Sequence, residues 1–202
     1  MNPGEFISLR EEGNPTLVLL HGTGGDENDM IGLGARLSKT AGKLSIRGKE
    51  PENGVNRWFR RFGEGVFDEP NLRMRALELA DFVVRTLPDK KRIAVGFSNG
   101  ANIAAAVLLL EPDAFDAAIL MAPMVPLQPS EMPDLEGKPI LMICGERDHM
   151  VPRTNALTLA TMYETAGAVV DLHWHPGGHM ISATELNVAA AWIARNTSPG
   201  DV

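Results

Sequence analysis

The sequence predicts an α/β protein, a mostly parallel central sheet covered by helices on both faces, forming one domain over residues 1–202. Three observations predict it. Strand-like and helix-like patterns alternate after the N-terminal segment. The strand-like runs are short, β-branched and nearly continuous in apolar character, as in strands buried on both faces. Proline and glycine punctuate the chain between them.

Taken in order, Phe6 to Glu11 reads as an antiparallel edge strand, and Thr16-Leu17-Val18-Leu19-Leu20 as a buried strand ending at His21-Gly22. Gly42 to Pro70 reads as the longest irregular stretch, too short for a domain and too rich in arginine and aromatics for a passive linker. Leu72, Ala76, Leu79, Val83 and Leu87 recur near helical period, so Asn71 to Leu87 is a helix that Pro88 stops. Arg92 to Phe97 is the next strand. Asn99 to Glu111 follows as a helix, apolar almost all round and closed by Pro112, which places it buried against the sheet. Ala117 to Met121, Pro139 to Cys144 and Ala168 to Trp174 supply three more strands. Arg153 to Ala166 is a helix with Gly167 as its stop, and Ile181 to Arg195 closes the chain as an amphipathic helix.

Composition narrows the function. A chain of 202 residues, 44% hydrophobic and 22% charged, can bury a core without disulfides or structural metal. A formal charge of −7 argues against nucleic acid as a partner, because phosphate contacts need a dense basic surface. The single cysteine, Cys144, forms no intrachain disulfide and suits a reducing compartment. No apolar run is long enough for a membrane span, and MNPGEFISLREEG lacks the basic-then-apolar order of a leader. The expectation is a cytoplasmic protein, with a homodimer among its compatible states.

The chemistry centres on VGFSNGANIAAA, Val95 to Ala106. A serine between two glycines at a strand-to-helix junction is either a helix cap or a nucleophile. In open parallel sheets reactive groups collect beyond the carboxyl ends of strands, and Ser98 stands there. A serine hydroxyl needs a base, and the base an orienting carboxylate. Asp148, in the loop of CGERDHMVP, is the preferred carboxylate, with Glu146 the alternative nearer the strand end. Among the five histidines, His179 in HPGGHM follows the last strand and precedes the last helix. His149 adjoins Asp148 too closely, His173 and His175 belong to a strand, and His21 precedes the serine. A zinc site from His173, His175 and His179 would lack a supporting motif and leave GFSNG unexplained. No metal or cofactor is therefore expected.

An acyl-transfer site also needs fixed donors for a developing oxyanion. Asn99 offers its amide at a helix N-terminus, and Thr23, in the glycine-rich LLHGTGGDE, offers a second. His21 and Asp26 would brace that loop. It lacks the lysine and spacing of a phosphate-binding P-loop.

In this order, LHGTGGDE, GFSNGA, GERDHMVP and GGHM resemble the phospholipase/carboxylesterase family of α/β-hydrolases, over nearly the whole chain. The stretch LSIRGKEPENGVNRWFRRFGEGVFDEPNL resembles its bacterial branch. The resemblance implies an α/β-hydrolase fold and a serine hydrolase cleaving small-molecule esters or thioesters. It assigns Ser98 as nucleophile, His179 as base and acid, Asp148 as orienting carboxylate, and the amides of Thr23 and Asn99 as oxyanion hole. Acyl-protein thioesterases usually carry glutamine where this chain has Asn99, and dienelactone hydrolases use cysteine where it has Ser98. The other readings are a ligand-binding protein or sensor that keeps the triad, and a lysophospholipase or acyl-thioesterase.

GVNRWFRRFGEGV, Gly54 to Val66, concentrates Arg57, Arg60 and Arg61 around Trp58, Phe59 and Phe62 in a chain only 5% aromatic. One reading buries the aromatics as anchors and pairs the arginines with Glu64 and Asp68. The other makes Trp58 and Phe59 walls of an acyl pocket and lets Arg60 or Arg61 bind a substrate carboxylate or phosphate. Little chain lies between Ala122 and Pro139, so no large lid is expected. Met121, Met124, Met132 and Met150 either pack the core or line the site.

Overall fold

Seven strands form the central sheet of the computed structural model, which describes residues 5–196. Residues 1–4 and 197–202, the ends of the expected domain and of the N-terminal stretch read for a leader, lie outside the described residues. The elements in chain order are β1 Ser8–Glu11, β2 Thr16–Leu20, α1 Ile31–Leu37, β3 Gly42–Ile46, β4 Glu50–Glu52, β5 Val55–Arg57, β6 Arg61–Gly63 and β7 Val66–Phe67. They continue as α2 Glu69–Thr86, β8 Arg92–Phe97, α3 Asn99–Leu110, β9 Ala117–Met121, β10 Pro139–Gly145, α4 Arg153–Thr165, β11 Val169–His175 and α5 Ala183–Asn196. The sheet runs β1-β3-β2-β8-β9-β10-β11, every pair parallel except β1 with β3. β4 with β5, and β6 with β7, make two separate hairpins.

The central strands are buried on both faces, and their side chains divide with period two. Leu17, Leu19, Ile93, Val95, Ile119 and Met121 pack toward α1 and α5, with Leu37 and Trp192. Val18, Leu20, Ala94, Leu120 and Met142 pack toward α2, α3 and α4, with Leu72, Ile103 and Leu159. Cys144 joins that second core, and burial pushes its thiol up to about 12. α2 begins at an Asp68 cap whose carboxylate accepts from the Asn71 amide, with Pro70 in the first turn. No described helix is long and apolar enough to cross a membrane.

The structure departs from the sequence expectation at β3, at α1 and at the short strands β4 to β7, which also fall in the stretch read as irregular. Gly42 to Ile46, read as irregular, is a fully buried strand between β1 and β2. Its pattern GKLSI hides it: Lys43 is buried along its stem and ends in an ion pair with Glu11 at 2.6 Å, so a charged residue stands where an apolar one is expected. Helix α1 has no side-chain cap and contains two glycines. Gly34 is there for close packing, since a Cβ would come within 2.8 Å of Leu19 Cδ1.

Candidate active site

Ser98 stands on the sharp turn between β8 and α3 with φ 51° and ψ −113°, a strained backbone for a residue with a side chain. Two hydrogen bonds hold the turn. The Ser98 amide donates to Met121 O at 2.9 Å, and the Asn102 amide donates to Ser98 O at 2.9 Å. The flanking glycines let the helix approach the sheet: a Cβ on Gly96 would lie 2.5 Å from Gly100 O, and one on Gly100 would lie 2.0 Å from Leu20 O. Larger residues at either position would push the serine out of place.

Asp148 sits in the loop after β10, its side chain 1% exposed. One carboxylate oxygen accepts from the Met150 and Val151 amides at 2.8 and 3.0 Å. The other faces His179 Nδ1 at 2.7 Å. Across the ring, His179 Nε2 is 2.9 Å from Ser98 Oγ. With the carboxylate accepting the Nδ1 proton, Nε2 is left with its lone pair toward the serine hydroxyl. The loops after β10 and β11 touch directly to allow this. A Cβ on Gly145 would lie 2.1 Å from Gly178 O, and the Arg147 amide donates to Gly177 O at 3.0 Å. Glu146 is exposed and outside this chain of contacts.

The amides of Thr23 and Asn99 make no hydrogen bond to any described residue, and both residues line the same pocket as Ser98 and His179. A segment outside the sheet ties their loops together. The Trp58 amide donates to Asn99 Oδ1 at 2.9 Å, and Trp58 Nε1 to His21 O at 2.8 Å. Arg57 Nη1 donates to Thr23 Oγ1 at 3.0 Å, the Gly24 amide to Asn56 O at 2.9 Å, and the Gly48 amide to His21 Nε2 at 2.9 Å. Burial lowers the pKa of His21, keeping it neutral as that acceptor. Asp26 caps its own loop by accepting from the Asn28 amide.

The residues singled out in Gly54 to Val66 separate. Trp58 and Phe59 are 2% and 0% exposed and line no part of the pocket; they are core anchors. Arg60 points away into an exposed pair with Asp68 at 3.0 Å. Arg61 lines the pocket, as does Arg57, and the two guanidinium groups share Glu52, at 3.1 and 3.3 Å. Glu64 lines the pocket and pairs with neither. Of the four methionines, Met124 and Met150 line the pocket and Met121 and Met132 do not, while Asn102 and Phe67 are pocket residues that the sequence reading missed. The signal in the sequence was the arginine-aromatic alternation itself, which marks the segment but not which side chain turns inward.

The pocket measures about 40 Å³. Among the described residues no three His, Cys, Asp or Glu side chains are grouped so as to hold a metal ion, His173, His175 and His179 included.

Comparison with known proteins gives the family. A model of the family described as serine hydrolase (FSH1) matches residues 34–191. Over 181 residues the chain is 40% identical to "Putative hydrolase MhqD" of Bacillus subtilis (strain 168), spanning 87% of this chain and 90% of that one. The Bacillus cereus carboxylesterase crystal structure is similar with a TM-score of 0.91 at 36% identity over 94% of each chain. The structure of YahD with malic acid is similar with a TM-score of 0.89 at 29% identity, over 95% of this chain and 99% of that one. The chain belongs to the serine hydrolase (FSH1) family, α/β-hydrolases of the phospholipase/carboxylesterase type.

Proposed function

We propose that the protein is a cytoplasmic, one-domain carboxylesterase that cleaves small esters or thioesters through an acyl group carried on Ser98. The observation that carries this reading is the continuous contact Asp148 Oδ2, His179 Nδ1, His179 Nε2, Ser98 Oγ, at 2.7 and 2.9 Å. His179 takes the hydroxyl proton as Ser98 attacks the carbonyl. Asp148 holds the ring and stabilises the imidazolium. The free amides of Thr23 and Asn99 receive the tetrahedral oxyanion, the latter at the positive end of α3. His179 then protonates the leaving alcohol or thiol, and water repeats the steps to release the acid.

Pocket size supports a short acyl group. The space enclosed beside Ser98 is small, about 40 Å³. YahD, a relative at 29% identity, was solved with malic acid.

The test is hydrolysis of p-nitrophenyl esters of increasing acyl length by the wild type and Ser98→Ala, with EDTA present. Turnover that survives EDTA, favours short chains and falls by at least ~10³-fold in the variant is the expected result. No turnover on any ester by folded wild type, or most of it retained in Ser98→Ala, would overturn the assignment.

A further inference from the structure

Four residues of the pocket wall, Arg57, Arg61, Asn99 and Asn102, offer hydrogen-bond donors. Arg57 is almost enclosed, its side chain 4% exposed, and its donors go to Thr23 Oγ1, Phe59 O and Glu52. Arg61 is more open, at 31%, and only its Nε is engaged, by Glu52. Two guanidinium groups therefore divide one carboxylate. Burial, and next the neighbouring Arg61, push the Arg57 pKa down, the sign of crowded positive charge.

Two asparagines continue the wall along the first turn of α3. Each has its oxygen fixed by a backbone amide: Asn99 Oδ1 accepts from Trp58, and Asn102 Oδ1 from Met124 at 2.8 Å. That leaves the amide nitrogens as the free ends. Asn99 Nδ2 is buried with no acceptor, although Asn99 is only 3% exposed and lines the pocket. A buried donor without a partner costs stability unless something supplies an acceptor. An apolar acyl chain would supply none.

Resting on the reading of Ser98 as nucleophile, we propose that the pocket takes an acyl group that itself ends in a carboxylate. The substrates are then half-esters or half-thioesters of short dicarboxylic acids. Arg61 binds the free carboxylate through the guanidinium nitrogens that Glu52 leaves open, and Arg57, locked behind it, adds the second positive charge. Glu64, on the turn between β6 and β7, stands at the rim without an ion pair among the described residues and opposes the entering anion. Its charge tunes affinity rather than abolishing it. In the overall reaction water adds across the acyl bond, its hydroxyl going to the acyl carbon and its proton to the alcohol or thiol. The product is the dicarboxylic acid.

The experiment compares kcat/KM for monomethyl succinate and methyl succinamate, esters of one length that differ by a negative charge, followed by pH-stat at low ionic strength. Wild type should favour the anionic ester by about 10- to 100-fold, the worth of one charge-assisted pair. Arg61→Gln should bring that ratio close to unity, Arg61→Lys should restore part of it, and Glu64→Gln should raise it. Added salt should lower the wild-type ratio. A purely structural role for Arg61 would depress both esters alike and leave the ratio standing, which would overturn the proposal. So would a wild-type ratio of about one with turnover still lost in Ser98→Ala. Loss of both esters in folded wild type, or turnover that ignores Ser98→Ala, would instead remove the esterase reading beneath it.

Discussion

Ser98, Asp148 and His179 ride just past the carboxyl ends of β8, β10 and β11, and those strands belong to one parallel sheet paired residue by residue. Another part of the pocket wall hangs outside that sheet on two small hairpins. It keeps its place through side chains: Trp58 and Phe59 sunk in the core, and hydrogen bonds from Arg57, Asn56 and Trp58 to the loops that carry Thr23 and Asn99. Backbone pairing resists substitution better than a web of side chains does. On the proposed reading, the sheet half holds the reacting groups and the hairpin half the groups that meet the acyl chain.

Substitutions that strike one half at a time sharpen that contrast. Asp148→Asn should show the largest effect, lowering kcat by roughly 10³- to 10⁴-fold through loss of the correct histidine tautomer. Its Oδ1 can still accept from the Met150 and Val151 amides, so the urea midpoint should hardly move. A modest kinetic loss would mean that the sheet half does not carry the chemistry. Trp58→Ala should do the reverse, costing about 3–5 kcal/mol of stability by urea unfolding. If its midpoint matched wild type, the hairpin half would not depend on its buried anchors.

Thr23→Val removes the acceptor for Arg57 Nη1 while leaving the Thr23 amide. A fall of about 10-fold in kcat, with KM nearly constant, is expected from one misaligned donor. His21 gives the pH dependence. Its pKa is lowered by burial from 6.5, so as pH falls below that value the unfolded chain takes up a proton that the folded protein refuses. Its contribution is fully present above about pH 6.5 and is lost on acidification toward the folded-state pKa. The urea midpoint should fall below that pH, and His21→Gln should flatten that part of the curve. Smallest is Arg60→Ala: this arginine is 61% exposed and paired at the surface, so both midpoint and kcat/KM should stay within experimental scatter.

The sheet half was legible because its rules are general. Apolar strands, a glycine-flanked serine and a loop position lead to Ser98, Asp148 and His179, which the structure brings into contact, and it is the structure that leaves the alternative Glu146 exposed and apart. The strand at Gly42 to Ile46 was not legible, because Lys43 and Ser45 are buried in it and break the apolar signature. Helix α1 offered no cap and two glycines. In Gly54 to Val66 the sequence marked an unusual segment, yet the inward residue beside Arg61 is Arg57, not Arg60. Which of three nearby arginines faces the pocket depends on hairpin register, and register is set by the turn and by what Trp58 and Phe59 bury against.

Cys144 has a practical use. It is the only cysteine in the chain, it is 2% exposed, and burial raises its thiol pKa to about 12. Because the thiolate is the reactive form, the expected outcome of maleimide labelling of the unaltered protein is no modification. A cysteine placed at Phe62, which is 78% exposed on β6, would then be the sole attachment point for a fluorophore. The arginine-bearing hairpin can in this way be watched as ligand enters, in a background that needs no cysteine removed.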